Sequence, residues 1–511
     1  MRSREAQLQA QVQEQAQELT RLRQENALLR QKVDLLSRKL FGCSSEQLSP
    51  GQLQLLLALA GTNAAAKTEA PAEPEPAVAV QRARKERKPR LPEHLPVIEE
   101  VIDPEPVKAQ PEAWRCIGQE VSEQLDYEPA RFIRRRLVRR TFVHRTDKDL
   151  APITAPLPPS LLERGLAAPG LLAQVVVSKY ADHLPLYRQE HIFQQRHGVE
   201  LSRQTLAGWI DLVADWLQPV YGHLRRDVFA RGYVQIDETP VRYLAPGHGK
   251  TKQGYFWAVN RPGGEVIYQW EISRAARCLE NVVPVAFKGT IQCDGYAAYD
   301  AFARQHGNPV TLADCWAHVR RKFCEAKESA PRTAGWILRQ LQHLYRIEAG
   351  LRAARGSPKL RAVIRAQESR SIVERLGRAC VRLQQGHRQL PQSPLGQALT
   401  YTLNQWEGLQ HFLTDGRVEI DNNLVENAIR PTAVGKKNWL FIGEAEAGQR
   451  SAILFTIIEN CRRLEINPFA YLRDVLTRLP HMTNQQTHTV TPAAWAKEQR
   501  QLQQPARALA S

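Results

Sequence analysis

The sequence predicts an α/β core interrupted by an all-α insertion and preceded by a coiled coil, a small β module and a helical region. Three observations carry this. Apolar runs of strand length, divided by Gly and Pro turns, begin at Arg231 and later alternate with helical stretches. Residues 333–412 read as helix almost throughout, and a heptad pattern occupies residues 4–40.

The first segment is residues 1–46. Val12, Leu19, Asn26, Val33 and Leu40 fall on heptad position a, and Leu8, Gln15, Leu22, Leu29 and Leu36 on position d. This pattern predicts a coiled coil, and Asn at an a position sets the register of a parallel pair. A homodimer or a larger assembly is expected through it; the plainer alternative is one amphipathic helix packed on its own domain. Residues 61–92, rich in Ala, Pro and Glu and ending in the basic run RARKERKPR, read as a flexible linker.

Residues 93–150 read as a small β-rich basic module. The stretch RFIRRRLVRRTFVHR interleaves arginines with Phe132, Ile133, Leu137, Val138, Phe142 and Val143. A strand pair with one apolar and one basic face has this pattern. Such a face suits a phosphate backbone; an edge strand protected by charge is the alternative. Residues 160–225 are helical. PLYRQEHIFQQRH runs into Gly198, and Ser202 then caps RQTLAGWIDLVADWL. This helix-turn-helix-like order sets Arg203, Gln204 and Thr205 where base-reading side chains lie.

Residues 231–332 hold the first part of the core. The strands are GYVQIDETPVRYL, QGYFWAVN and GEVIYQWEIS, followed by a helix over Ala275 to Ala286, the strand TIQCDGY and a helix through Tyr299 to Gln305. Three sequential strands and then alternating helix and strand open a ribonuclease-H-like α/β domain. The helical insertion, 333–412, interrupts it. Residues 413–450 complete it, with Glu426 starting a helical stretch that ends at Pro431. Residues 451–482 are terminal helices, and the polar tail 483–511 is expected to be disordered.

Composition narrows the function. With 70 Lys+Arg against 53 Asp+Glu the formal charge is +17, which favours a polyanionic partner. No apolar run spans a bilayer and the first residues lack a signal-peptide core, so a cytoplasmic protein without a membrane partner is expected. The eight cysteines contain no CxxC pair, which argues against a disulfide framework or a four-ligand zinc site; zinc is not expected.

Against this basic background stand Asp237 in YVQIDETPV, Asp294 in TIQCDGYAAY and Glu426 in DNNLVENAIRP. In the expected fold the first and fourth strands lie side by side, so both aspartates meet at one end of the sheet, and a later helix brings the glutamate over them. Clustered carboxylates repel unless a cation lies between them, and hard oxygen donors suit Mg²⁺. The rivals are Glu238, which strand alternation points to the other face, and Asp421, which reads as part of an N-cap. Asp294 alone also suits the turn of DGY. Arg430, one helical turn after Glu426, and Lys436, Lys437 and Trp439 in GKKNWLF suit a DNA end, as do Arg320 and Arg321 in CWAHVRRKF. Cys315 and His318, with no second pair, read as packing.

These stretches, together with FGCSSE near 41–46, EIDNNLVENAIRPTAVGKKNWLFIG at 419–443 and INPFAYLRDVL at 466–476, resemble the insertion-sequence 66 family of bacterial transposases. The resemblance spans roughly 40 to 480. It implies a DDE-type enzyme of ribonuclease-H-like fold with two Mg²⁺ or Mn²⁺ ions held by the catalytic triad Asp237, Asp294 and Glu426. It also implies a nucleoid-associated bacterial protein that cleaves and joins double-stranded DNA at terminal inverted repeats and target, with small accessory proteins as partners. The sequence departs from the family in keeping only Cys116 of the paired cysteines of a zinc module, and in Asn427, where a basic residue is usual. A dimeric DNA-binding regulator or an inactive relic is the alternative function, and a nuclease that cuts without joining is a third.

Overall fold

The computed structural model describes residues 95–503 apart from 129–130, 148, 163–164, 246–249, 306–309 and 387–388. The expected coiled coil and linker lie outside these residues. The chain divides into two compact units, one including Arg90–His318, Glu348–Glu368 and Glu407–Ser511, the other including Val319–Ile347 and Ser369–Trp406. No helix among the described residues is long and apolar enough to cross a membrane.

In the larger unit, strands β1 (Val97–Ile102), β2 (Trp114–Glu128), β3 (Arg131–His144) and β4 (Ile153–Thr154) form one sheet in the order β1-β3-β2, with β4 on β3. A short helix α1 (Glu105–Ala109) joins the first two. Phe132, Ile133, Val138 and Phe142 are the buried residues of β3, as the interleaved pattern predicts. The arginines between them are largely engaged by acids on neighbouring strands. Arg134 and Arg136 both reach Glu123 at 2.9 Å, Arg135 reaches Glu100 at 3.2 Å, and Arg139 pairs with Glu120. The basic face expected for DNA is therefore an ion-pair ladder, because each arginine run on β3 lies opposite glutamates on β1 and β2.

Helices α2 (Pro169–Tyr180), α3 (Leu186–His197) and α4 (Arg203–Phe229) follow. Gly198 ends α3 in the left-handed region (φ 63), and Ser202 caps α4 by accepting the Thr205 N–H at 3.2 Å.

The second sheet is built from β5 (Tyr233–Leu244), β6 (Thr251–Asn260), β7 (Val266–Glu271), β8 (Gly289–Gln292), β9 (Val310–Ala313) and β10 (Phe441–Ile442). Its order is β7-β6-β5-β8-β9, with β10 on β5. The first three strands are antiparallel neighbours, whereas β8 runs parallel to β5 and β9 parallel to β8. Helices α5 (Ala276–Val282) and α6 (Ala297–Gln305) connect the parallel strands, and α7 (Trp316–Ala326) leaves the sheet.

Helices α8 (Pro331–Ala353), α9 (Pro358–Ile364), α10 (Arg370–Gln385), α11 (Pro394–Asn404) and α12 (Trp406–Thr414) make up the helical stretch. It is not one separate body: Glu348–Glu368 belongs to the larger unit. The physical reason is a buried ion pair. Arg365 and Glu348 are both 0% exposed and meet at 2.6 Å, while Arg365 also donates to the carbonyls of Phe412 and Val418 at 2.8 Å. Arg361 clamps Glu419 at 2.7 and 2.8 Å. The smaller unit packs Phe323, Ile337, Leu341, Leu344, Val373, Leu376 and Leu399 into its own apolar interior.

Helix α13 (Asn423–Trp439) corrects the expected stop at Pro431. The helix runs through the proline to Trp439. Proline removes one N–H and frees the carbonyl of Asn427, which is on an exposed position where water satisfies it. Helix α14 (Ala445–Arg463) is buried along most of its length and covers edge strand β7. Gln449, Thr456 and Asn460 accept the N–H groups of Trp270, Tyr268 and Val266 at 3.1, 2.9 and 3.2 Å, so polar side chains close an edge that would otherwise lack partners. Helix α15 (Pro468–Arg478) follows. The tail expected to be disordered forms a short helical turn, Gln486–Val490, and α16 (Pro492–Gln503). Burial of Val490 and Ala496, and the Tyr471–Trp495 ring contact at 5.6 Å, outweigh its polar composition.

Replacing Arg365 by Met strands the Glu348 carboxylate in the interior and should cost about 3–5 kcal/mol in denaturant unfolding. Adding Glu348→Leu should recover much of that loss, because an apolar pair needs no desolvation to be repaid.

Candidate functional site

Asp237 and Asp294 are brought together by strand register. In the parallel pair of β5 and β8, Gln235 lies opposite Gln292. Each aspartate stands two residues beyond its glutamine, hence on the same face, and adjacent strands are about 4.8 Å apart. Asp294 lies just past β8, where Gly295 (φ 71) turns the chain and Asp294 Oδ1 accepts the Tyr296 N–H at 3.1 Å. The turn role weighed against Asp294 is real, and it coexists with the site.

The glutamines themselves form a buried amide network that the sequence reading did not single out. Gln235 Nε2 donates to Gln292 Oε1 at 2.9 Å and to the Asp421 carbonyl at 2.9 Å. Gln292 Nε2 donates to the Glu419 carbonyl at 2.9 Å, and Tyr233 Oη donates to Gln292 Oε1 at 2.7 Å. Asn260 donates to Gln235 Oε1 at 3.0 Å. Both glutamines are 0% exposed. This network ties β5 and β8 to the segment that leads into α13. The signal was present as the repeated Gln-x-Asp spacing of QID and QCD.

Glu426 occupies the first turn of α13, with Oε1 3.6 Å from His318 Nε2. The start of that helix is fixed by Asp421, whose carboxylate accepts the Asn423 N–H at 3.2 Å, and by Cys315, whose sulfur accepts the Asn422 N–H at 3.4 Å. Burial pushes the Cys315 thiol up to about 12, which suits a packing role. Tyr268 on β7 donates its hydroxyl to the Ala428 carbonyl and holds the same helix from below.

Electrostatics report the proximity of the acids. Burial first, then the charges of Glu238, Asp294 and Glu426, push Asp237 up to about 8. Glu238 does not stand apart as alternation predicts. Its carboxylate is raised by burial and by Asp294, and it is held by Arg274 at 2.5 Å and by the Tyr299 hydroxyl at 3.1 Å. The strand twists near its unpaired stretch, so both neighbours sense the same aspartate. Asp314 in LADCW, missed in the sequence, is pushed up to about 7 by burial and by Asp300 and Asp294.

Among the described residues no group of three or more His, Cys, Asp or Glu side chains is arranged to hold a metal ion. The donor chemistry nonetheless fits a hard divalent cation: the neighbours of Asp237 are carboxylates, and mutual repulsion is the strain a cation relieves.

The expected DNA-binding residues separate into groups. Arg203, Gln204 and Thr205 are exposed on the first turn of α4. Arg430 and Lys437 are exposed along α13. Lys436 is different: its ammonium donates to Thr239 Oγ1 at 3.1 Å and to the Pro240 carbonyl at 3.0 Å, so it secures β5. Trp439 lies under the Lys179 ammonium, 5.6 Å from its ring. Arg320 and Arg321 are exposed on α7 in the smaller unit.

Comparison with known proteins gives a consistent result. A family model described as "Transposase IS66 family" matches residues 164–450. Models described as "Transposase C of IS166 homeodomain" and "IS66 C-terminal element" match residues 28–99 and 456–492. Three proteins of Sinorhizobium fredii (strain NBRC 101917 / NGR234) are similar. Uncharacterized protein y4jD is 34% identical over 92% of this chain and 95% of its own length. Uncharacterized protein y4qI is 36% identical over 76% of this chain and 73% of its own. Uncharacterized protein y4hP is 29% identical over 91% and 88%.

One consequence concerns stability. Asp237 titrates near 3.8 when unfolded and near about 8 when folded, so the folded state binds the extra proton. Its contribution is complete below 3.8 and is lost as the pH rises through about 8. In metal-free protein, Asp237→Asn should therefore raise stability at pH 8 by roughly 1–3 kcal/mol and leave it nearly unchanged at acid pH. Thermal unfolding in chelator across that range checks it.

Proposed function

The chain belongs to the transposase IS66 family, and we propose that within it this protein cleaves DNA strands at the ends of its insertion sequence and joins them to a target, through Asp237, Asp294 and Glu426. The observation that carries this is the in-register placement of Asp237 and Asp294 beyond Gln235 and Gln292, with Asp237 sensing the charges of Asp294 and Glu426. We read the sheet order β7-β6-β5-β8-β9, antiparallel and then parallel, as a ribonuclease-H-like core with the helical stretch inserted in it.

In this reading the three carboxylates bind the cations and orient the scissile phosphate among them. Two Mg²⁺ or Mn²⁺ ions at such a site activate the attacking oxygen and stabilise the leaving one. Glu238 stays with Arg274 and Tyr299 and keeps the floor of the site in place. Arg430, exposed one turn beyond Glu426, grips the backbone next to the reacting phosphate. The first turn of α4, with Arg203, Gln204 and Thr205, reads the terminal repeats, and Arg320 and Arg321 add phosphate contacts. The heptads of residues 1–46 pair two protomers so that both element ends are held together. Accessory proteins of the same element and a cytoplasmic, nucleoid-bound location belong to the same proposal.

The test is strand cleavage and strand transfer in vitro on duplexes carrying the flanking inverted repeats, with Mg²⁺ or Mn²⁺. Asp237→Asn, Asp294→Asn and Glu426→Gln should each lower both steps by about 10³-fold or more while leaving DNA binding in place. Joining that survives any of the three would remove that residue from the site. Cutting without joining by the unaltered protein would point to a nuclease.

A further inference from the structure

A cavity of about 810 Å³ opens at the far end of α13, lined by Lys179, Tyr180, Leu244, Trp439, Phe441 and Ser451 among others. Its volume is that of a small-molecule site. Several features show that it is built rather than left over. The indole of Trp439 folds against Gly435, where a Cβ would come within 2.9 Å of the indole nitrogen. The indole N–H is shielded from solvent and has no hydrogen-bond partner. The Lys179 ammonium stands 5.6 Å from the rings of both Trp439 and Tyr180. Burial holds that lysine down at about 8, a cost that a nearby anion would repay. Immediately after Trp439, Leu440 adopts a positive φ of 64, rare for a leucine, and this turn leaves Phe441 42% exposed beside the cavity.

We propose that this cavity receives one unstacked nucleobase of the bound DNA, stacked on Trp439 with its backbone phosphate at Lys179. The inference rests on the reading of the chain as a DNA-acting transposase and adds a second recognition point to it. The occupant follows from the lining. A flat aromatic heterocycle fills an apolar, aromatic-walled slot, and every base offers a carbonyl or ring nitrogen to an unpaired indole N–H. An aliphatic side chain would leave both that N–H and the lysine unanswered. Asp211 and Glu444 also line the cavity, but Asp211 is engaged by Arg450 at 3.1 Å.

The position is suitable as well. Trp439 and Glu426 stand at opposite ends of one helix, which at 1.5 Å per residue separates them by about 20 Å, or roughly six base pairs. Exposed Arg430 and Lys437 lie on the helix between them. A duplex lying along α13 with a phosphate at Glu426 would place a nucleotide at the cavity mouth.

The full-length protein, without divalent metal, should be irradiated with a duplex that carries a short single-stranded overhang containing iodouracil, which crosslinks to stacked aromatic rings. The adduct should map to the peptide holding Trp439 and Phe441. Trp439→Ala should abolish it and weaken overhang binding by about tenfold or more, whereas Trp439→Phe, which keeps the ring, should retain the adduct. Lys179→Met should weaken binding and flatten its salt dependence. Adducts confined to other peptides, or undiminished binding by Trp439→Ala, would overturn the assignment; if Trp439→Ala fails to fold, the site of the wild-type adduct decides alone. Cleavage measured in parallel keeps the two readings apart. Active cleavage with no adduct at Trp439 sinks the cavity proposal, and cleavage that survives Asp237→Asn sinks the catalytic one.

Discussion

The arrangement of the acids depends on a small set of amide hydrogen bonds in the interior. Gln235 and Gln292 are buried without exposure, bonded to each other and to the Asp421 and Glu419 carbonyls. A buried amide that loses its partner costs roughly 1–3 kcal/mol, so these bonds make one register of β5 against β8 much better than its neighbours. A slip by one residue would strand several polar groups and turn the aspartates to the opposite face. The same amides hold the Glu419–Asp421 segment and, through it, the start of α13. Register on two strands and the entry of one helix are thus set by one network. The outer clamp, Arg361 on Glu419, and the buried Arg365–Glu348 pair extend it into the helical stretch.

Much of this was legible beforehand. The strand patterns around Asp237 and Asp294 carry apolar residues and turn signals, and Gly198 with Ser202 marks a helix end and a helix start. What escaped was whatever depends on partners distant in sequence. Pro431 is a helix stop by local rules, but packing of Val425, Ala428, Ile429 and Thr432 outweighs one lost hydrogen bond. Period-two alternation sends Glu238 away from Asp237, yet Arg274 and Tyr299 bring it into the same electrostatic neighbourhood. The polar tail lacks a strong apolar pattern, and its few anchors, Val490 and Trp495, matter only because α15 is there to receive them.

Net charge proved a coarse guide to where the cations act. The arginines of β3 are the most conspicuous basic run in the sequence, and they spend much of their charge on Glu99, Glu100, Glu120 and Glu123. Lys436 spends its charge on β5. The exposed cations that remain near the acids are fewer, Arg430 and Lys437 among them, and they line one helix. A basic composition therefore supplies long-range attraction to a polyanion, while local recognition is left to a few side chains on α4 and α13.

The central claim is that Asp237, Asp294 and Glu426 face one point in space. A crystal structure of the protein soaked in Mn²⁺, with anomalous scattering collected at the manganese edge, tests it most directly. The account predicts a strong anomalous peak bridged by the Asp237 and Asp294 carboxylates, with Glu426 turned toward it. Manganese bound elsewhere, with these three side chains pointing apart, would contradict it.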